Sequence, residues 1–294
     1  MKNIFKDLWK NLDKNNKLPT RVRKVVSLDY SVFADKIDSN DESFAKDITD
    51  SMILGDVYIL KKAFEKDFFY NLKLKCYDYF KDRPSSFHKM LEGCPDFHRK
   101  IDLNLGNNYS FKICKHSFYF YNWNKDPLNL YTETYKRWRK IKKLMGYKPN
   151  HFEKNTPKDG IVDRIQVVQY PSKYGFIEPH SDPYKHQKFF ISGYMSKKGK
   201  DYIDGGFYVL DGNDRVVDVE KYIDVGDLGI GFATIVHGVA PVNRNKDPDW
   251  NDTNDGRWFY SLYTNESDEV KDRHTGFSVT EQIKVNDKSL FPPE

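Results

Sequence analysis

The chain has 294 residues, of which 38% are hydrophobic and 16% aromatic, so it can bury a sizeable core and is not typical of a disordered protein. Its 48 lysine and arginine residues nearly cancel 43 acidic residues, and a net charge of +5 spread over this length gives no reason to expect nucleic-acid binding. Three distant cysteines, with no CxxC pair, argue against a disulfide framework and favour a reducing, cytoplasmic compartment. No apolar run reaches the roughly 18 residues of a transmembrane helix, so we expect no membrane span.

The first 50 residues predict a polar N-terminal arm that contains one short helix. One face of this helix carries Ile4, Phe5, Leu8, Trp9 and Leu12. The face can pack on the chain itself or on a partner, or it can lie on a membrane surface. A helix this short binds lipid weakly by itself, which favours packing. After the helix we expect a loose arm, with order beginning near residue 51.

Residues 51–160 predict a supporting region of strands and helices. Residues 57–60 indicate a strand, "EKDFFYNLKLKCYDYF" has helical periodicity, and "FKICKHSFYFYNW" is typical of a strand. A further helix is expected between Asp126, which can cap it, and Gly146, which ends it. Its basic run "YKRWRKIKKL" is explained equally well by a solvated face and by contact with phosphate or an acidic partner.

Between residues 161 and 265 the pattern changes to short β-rich runs at close spacing. These are "RIQVVQY", "KFFISGYM", "GGFYVL", "YIDVGDLGIGFATIVH" and "RWFYSLYT", separated by Gly, Asp and Asn. Such spacing predicts an antiparallel sandwich or barrel, and the whole chain is therefore of the α+β class with a mainly β core. The polar tail, residues 266–294, either covers a sheet edge or stays loose.

Three residues in the β-rich part have the pattern of a metal site. His180 and Asp182 share a face at the end of one β-run, and His237 ends another. Two imidazoles and one carboxylate with no fourth ligand form the facial triad of non-haem Fe(II) sites, which leaves coordination positions open. An HxD pair alone is weak evidence, because the chain has 8 histidines and many aspartates.

Several phrases around these residues occur in the order found in a known family. They are "VVQYPSKYGFIEPHSD", then "FFISGYM" followed by "GGFYVL", then "DVGDLGIGFATIVHGVAPV", and finally "GRWFYSLY". Over about 100 residues, from Arg164 to Asn265, the sequence resembles the 2-oxoglutarate- and Fe(II)-dependent oxygenases, in particular their prolyl-hydroxylase-like branch. The resemblance implies a double-stranded β-helix, a jelly-roll barrel of the cupin kind, with N-terminal supporting helices.

The resemblance also implies roles for individual residues. His180, Asp182 and His237 are expected to bind Fe(II). Arg257 is expected to bind the far carboxylate of 2-oxoglutarate, which a guanidinium can grip through two hydrogen bonds. The other expected cosubstrate-binding residues are Tyr170, Tyr194 and Ser261.

One departure from the family pattern concerns the distance between the second histidine and the arginine. The polar segment 243–255 is inserted there, and it is expected to form a long loop at the barrel mouth, as a lid or as part of the substrate entrance. Two other arginines therefore compete for the carboxylate. They are Arg244 in the loop and Arg164 on the first barrel strand.

The resemblance implies a dioxygenase that uses 2-oxoglutarate and O2, with ascorbate as a possible reductant, and hydroxylates an unactivated C–H bond with release of succinate and CO2. Asp182 favours hydroxylation, because related halogenases have a small residue in its place; desaturation and demethylation remain alternatives. The same three ligands also suit a zinc hydrolase, with Glu178 as its only nearby base, or a non-catalytic ligand-binding barrel. A small molecule or a peptide is the expected substrate, and His186 and Lys188 are either surface residues or contact it.

Overall fold

The structure is a computed structural model, and it describes residues 3–15, 18–273 and 277–278. The helices are α1 (Ile4–Asn15), α2 (Tyr30–Ser39), α3 (Glu42–Ile53), α4 (Lys66–Phe80), α5 (Leu103–Gly106) and α6 (Leu130–Leu144), with 3-10 turns at Pro157–Asp159 and Glu220–Tyr222. The strands are β1 (Val25–Asp29), β2 (Val57–Lys61), β3 (Phe97–Ile101), β4 (Ile113–Tyr121), β5 (Ile161–Tyr170), β6 (Phe176–Ser181), β7 (Phe189–Tyr194), β8 (Gly206–Leu210), β9 (Val216–Asp218), β10 (Leu228–Phe232), β11 (His237–Ala240), β12 (Arg257–Glu266) and β13 (Phe277–Ser278).

Two antiparallel sheets form the centre of the molecule. One has the order β5-β12-β7-β10 and the other β6-β11-β8-β9, and β4 pairs with both β5 and β6 at one side. Aromatic side chains of the two sheets meet between them, as where the rings of Phe190 and Phe207 lie 5.8 Å apart. Strands that alternate between two facing sheets in this order make a double-stranded β-helix, which confirms the predicted fold class.

The strand on the far side of β10 comes from the N-terminal half. β2 pairs antiparallel with β10 and parallel with β1, so the larger sheet continues into the supporting region. Buried Val, Ile and Leu side chains on β2 fit this position, because a strand covered on both faces reads as a continuous apolar run.

The expectation of a loose arm before residue 51 is wrong. Residues 18–53 contain β1, α2 and α3, and the two helices bury Phe33, Ile37, Ala45 and Ile48 in the main core. These residues recur at three- and four-residue spacing, the pattern of an amphipathic helix, but their charged neighbours hide the pattern in the overall composition. The helix α1 packs on the domain through Trp9, whose ring meets Phe189 at a centroid distance of 5.7 Å.

The remaining predicted elements are confirmed with shifted boundaries. The helix expected after Asp126 begins at Leu130, and the Asp126 carboxylate accepts hydrogen bonds from the backbone N–H groups of Leu130 and Tyr131. Most cations of its basic run are paired within the chain, for example Arg139 with Glu153. The run "YIDVGDLGIGFATIVH" divides into a 3-10 turn, β10 and the start of β11.

The C-terminal tail covers a sheet edge over a short stretch. β13 pairs antiparallel with β6, opposite Ser181 and His180. Residues 274–276 and 279–294 of the tail lie outside the described residues. Among the helices in the described ranges, none is long and apolar enough to cross a membrane.

Candidate metal centre and adjoining cavities

The two histidines of the predicted triad face each other across neighbouring strands. His237 on β11 lies in register with His180 on β6, and their ring centroids are 4.4 Å apart. Each Nδ1 lies 2.8 Å from a backbone carbonyl two residues earlier, that of Glu178 for His180 and that of Ile235 for His237. Because Nδ1–H donates to a carbonyl, each neutral ring keeps the lone pair of Nε2 for a metal.

Asp182 completes the group just beyond the end of β6. Its Oδ1 lies 3.9 Å from His180 Nε2 and its Oδ2 lies 3.7 Å from His237 Nε2, and the three ligand atoms lie within 4.8 Å of one another. Burial, followed by the charge of His237, lowers the pKa of His180 well below its usual value, so this ring stays neutral. Burial raises the pKa of Asp182, opposed by His237 and Lys115.

The unpaired oxygen of this carboxylate tests whether a cation fits. Asp182 is 7% exposed, and its Oδ2 has no hydrogen-bond partner among the described residues. A buried carboxylate oxygen without a partner is costly, and a divalent cation held by the two Nε2 atoms would satisfy it. The donor set of two nitrogens and one carboxylate suits Fe(II) and also Zn(II).

The turn that carries His237 is held from two sides. The backbone N–H of Asp182 donates to the carbonyl of Ala233 at 2.9 Å. On the other side, the N–H of Val236 donates to the carbonyl of Thr20 at 3.0 Å, and the hydroxyl of Thr234 donates to the carbonyl of Pro19 at 2.7 Å. The N-terminal segment therefore helps to position the triad, a role that its sequence does not reveal.

The triad lies where two cavities meet, which we call the inner cavity and the outer cavity. They share Lys115, Ile177, His180, Asp182 and Tyr263. The inner cavity is also lined by Tyr170, Phe190, Ser192, Phe207, His237, Gly238, Val239, Arg257, Phe259 and Ser261. Its volume is about 30 Å³, which is enough for about one or two water molecules. A five-carbon dicarboxylate such as 2-oxoglutarate therefore fits only if the walls of the cavity move apart.

Arg257 lines the inner cavity and is paired with a buried acid that sequence reasoning missed. Its Nε donates to Glu220 Oε1 at 2.6 Å, with the two side chains 2% and 0% exposed. The same Oε1 accepts from the N–H of Phe207 at 2.7 Å. Gly206 makes room for Glu220, because a Cβ at that position would lie 2.7 Å from the Glu220 Cγ. No local signal could have found a partner 37 residues away.

The other predicted cosubstrate residues divide into two groups. Tyr170, opposite Arg257 in the β5–β12 register, and Ser261, on the same face of β12 as Arg257, both line the inner cavity. Tyr194 does not line it. Its ring lies 6.0 Å from the Arg257 guanidinium, and its hydroxyl lies against Gly229, where a Cβ would be 2.3 Å away. Burial raises the pKa of Tyr170 and of Tyr194.

Neither rival arginine lines the inner cavity. Arg164 lines the outer cavity, and Arg244 lines neither. No residue of the described loop 243–255 lines the two cavities, so the expectation that it lies at the mouth of this site is wrong. The loop instead packs beside β3 and β4, where Asn251 accepts from Lys100 at 3.0 Å, and it is fixed by Asp255, which accepts from the Ser172 hydroxyl at 2.7 Å.

The two residues left open as substrate contacts, His186 and Lys188, line neither cavity. His186 lies 3.1 Å from Glu266, and Lys188 lies over the rings of Trp9 and Tyr184. Both therefore have roles within the chain's own packing.

A lysine that sequence reasoning missed does reach the site. Lys115 on β4 lines both cavities. Burial, and then the charge of Arg164, lower its pKa to about 8, opposed by Asp182. A charged residue inside the aromatic run "FKICKHSFYFYNW" was the available signal.

No protein-family model matches the sequence, and a search of curated proteins finds no match. Solved structures do match. A full-length protein from Neurospora crassa, in complex with alpha-KG and thymine, is 12% identical with a TM-score of 0.51, over 82% of this chain and 86% of that one. The same protein with alpha-KG and 5-formyluracil is 13% identical with a TM-score of 0.50, over 82% and 84%. A putative 2OG-Fe(II) oxygenase family protein from Caulobacter crescentus is 12% identical with a TM-score of 0.46, over 84% and 88%.

At this level of identity the comparison speaks for the fold. The similarity extends beyond the 100 or so residues that carry the sequence motifs, into the supporting strands and helices. The sequence resemblance is thus confirmed at the level of architecture, and the chain has the double-stranded β-helix fold of the 2-oxoglutarate- and Fe(II)-dependent oxygenases.

Proposed function

We propose that this protein is an Fe(II)- and 2-oxoglutarate-dependent dioxygenase that hydroxylates a C–H bond of a small molecule. The observation that carries the proposal is the triad His180, Asp182 and His237. It is buried, has both Nε2 atoms close to the carboxylate, and leaves one carboxylate oxygen without a partner among the described residues. A metal bound by these three residues would keep open coordination positions on the side that faces the cavities.

The residues of the inner cavity supply what a dicarboxylate cosubstrate needs. The triad holds the metal end, and Arg257 offers the remaining edge of its guanidinium to the far carboxylate, while Glu220 holds its Nε. Tyr170 and Ser261 line the same space and carry hydroxyl groups that can donate to carboxylate oxygens. When bound, iron and 2-oxoglutarate together supply the oxidising power for attack on an unactivated C–H bond.

The zinc-hydrolase alternative lacks a free carboxylate to act as general base in the described cavity lining. Glu178 is engaged elsewhere, since its side chain accepts from the Lys112 backbone N–H at 2.7 Å. Asp182 is the one carboxylate among the described residues that line the two cavities, and it belongs to the metal site. Its presence also disfavours a halogenase, in which this position must be vacated.

The outer cavity is where a substrate can meet the triad. Its volume is about 290 Å³, the size for a small molecule or one side chain of a peptide. The Neurospora crassa protein, which shares the fold, has been solved in complex with thymine. A small-molecule substrate is therefore our proposal.

Metal and cosubstrate binding test the proposal without knowledge of the substrate. Under anaerobic conditions, wild-type protein with Fe(II) and 2-oxoglutarate is expected to bind one iron and to show the weak visible absorption of a 2-oxoglutarate–iron chelate. His237→Ala should lose the bound iron and the visible absorption. The matched control is His186→Ala, which removes a histidine outside the two cavities and should leave iron binding and absorption unchanged. Stoichiometric iron and unchanged absorption in His237→Ala would refute the triad assignment.

A further inference from the structure

The outer cavity is lined by an arginine whose side-chain donors have no partner among the described residues. Arg164 on β5 is held by aromatic rings, with its guanidinium carbon 5.4 Å from the ring of Tyr119 and 5.0 Å from that of Tyr263. Its Nε is buried without a partner, and within the described chain no carboxylate lies at ion-pair distance from it. The rings fix the position of the charge and leave its forked N–H groups available to a ligand.

A second positive charge and an unpaired amide lie along the same wall. Lys115 lines the outer cavity, where the charges of Arg164 and of the metal-binding Asp182 act on it. Gln187 is 3% exposed; its Oε1 accepts from the Thr264 N–H at 3.0 Å, whereas its Nε2 is buried and has no partner among the described residues. Three residues of one cavity lining whose side-chain donors have no acceptor among the described residues indicate a missing anionic or strongly accepting group.

The described lining of the outer cavity carries more unpaired positive charge than negative charge. Its other cation, Arg273, is paired with Asp268 at 3.2 Å. Asp182 is the single carboxylate in the described lining, and a bound divalent metal would neutralise it. With the metal in place, Arg164 and Lys115 would therefore make the cavity strongly attractive to anions.

The outer cavity also has an apolar surface, and part of it lies against the triad. The ring of Phe111 stacks on the His180 imidazole at 4.6 Å with an interplanar angle of 20°. Ile101, Ile113 and Ile177 continue this surface. A ligand anchored at Arg164 would thus have its hydrocarbon part placed over Phe111 and toward the metal ligands.

We propose that the outer cavity binds a small organic acid, with its carboxylate on Arg164, Lys115 and Gln187 and its apolar body against Phe111. This inference rests on the proposed function, because it names the substrate class of the same enzyme. It explains why unpaired donors and an apolar surface line the same cavity. The C–H bond to be oxidised would belong to the apolar body and not to the carbon that bears the carboxylate.

The test compares acids with their neutral amides, which have nearly the same shape. The probes are benzoate, phenylacetate, 3-phenylpropionate and hexanoate, each with its primary amide. Binding is measured by titration calorimetry on protein loaded with Zn(II) and 2-oxoglutarate, where no turnover occurs, and on metal-free protein. At least one acid should bind about ten-fold or more tightly than its amide, as expected for a charge-assisted contact.

Four variants assign that preference to residues. Arg164→Met keeps the bulk between the two tyrosines and should abolish the preference for the acid, whereas Arg164→Lys should restore part of it. Gln187→Glu keeps the acceptor for Thr264 but puts a negative charge on the wall, so it should weaken acids and spare amides. Arg244→Met is the control, since Arg244 also has a buried, unpartnered Nε yet lies outside both cavities.

The proposal fails if no acid binds better than its amide, or if Arg164→Met retains the preference. It also fails if raising 2-oxoglutarate displaces the acid competitively, because the anion site would then be the cosubstrate site. Failure of the proposed function has a different signature: metal and 2-oxoglutarate would not bind in the first place, while the metal-free titrations would still report on the outer cavity.

Discussion

The buried pair of Arg257 and Glu220 allows the role of Arg257 in the fold to be separated from its role toward 2-oxoglutarate. Replacing Arg257 with Met removes a cation that is 2% exposed and leaves Glu220, with a fully buried side chain, as an uncompensated charge. Breaking one partner of such a pair costs about 3–5 kcal/mol of folding free energy. If Arg257 also binds the far carboxylate, the cosubstrate loses about 2–5 kcal/mol of binding energy, or roughly 30-fold to several thousand-fold in affinity.

The double variant Arg257→Met/Glu220→Gln makes the two effects diverge. The new glutamine keeps an oxygen for the Phe207 N–H, and no unpaired charge remains, so the free energy of unfolding in urea should return to within about 1 kcal/mol of wild type. The affinity for 2-oxoglutarate, measured by calorimetry with Mn(II), should stay as low as in the single variant. A double variant that binds 2-oxoglutarate like wild type would show that Arg257 is only structural, and Lys115→Met would then be expected to lose the affinity instead.

Three further predictions concern other parts of the chain. Asp182→Ala should abolish turnover while leaving weak metal binding by the two imidazoles; native turnover in this variant would mean that another carboxylate is the ligand. Trp9→Ala should lower the free energy of unfolding by about 3–5 kcal/mol, because Trp9 is 2% exposed and its ring packs on Phe189 and Phe232; an unchanged urea midpoint would show that α1 does not support the barrel. Burial, and then the neighbouring His98, lowers the pKa of His116 well below 6.5. His116 therefore binds a proton more readily in the unfolded chain than in the folded chain. The free energy of unfolding should fall as the pH drops below about 6.5, by up to about 1.4 kcal/mol per pH unit. His116→Gln should flatten this slope in urea titrations between about pH 6.5 and 5.5, and identical slopes would contradict the assignment.

The metal site can be predicted from the sequence because its signal is local. His180 and Asp182 are two residues apart at a strand end, and His237 follows a recognisable apolar run, so short motifs are enough to select three residues that the structure brings within 4.8 Å. The barrel strands can be predicted for the same reason, since alternation and turn residues are properties of single segments.

What could not be predicted depends on contacts between distant segments. Glu220 reaches Arg257 through the fold, and the carbonyls of Pro19 and Thr20 hold the turn before His237, although nothing near any of these residues indicates a partner. The inserted loop adjoins Arg257 in sequence, which suggests a place at the site, but β12 carries Arg257 inward while Asn251 of the loop contacts Lys100 on β3. Lys115, in contrast, could have been found from the sequence alone, because a charged residue within a run of aromatic strand residues is a local signal.

Succinate formation from 2-oxoglutarate in air distinguishes a dioxygenase from a hydrolase or a non-catalytic barrel. Wild-type protein reconstituted with Fe(II) is expected to convert 2-oxoglutarate to succinate above the rate of free iron, and the Zn(II)-loaded protein is expected not to. His237→Ala should fall to the rate of free iron, while His186→Ala should match wild type. Equal succinate formation by wild type and His237→Ala would contradict the proposed dioxygenase. So would the absence of succinate formation by wild-type protein that has bound iron and 2-oxoglutarate, even when the acids that bind the outer cavity are added.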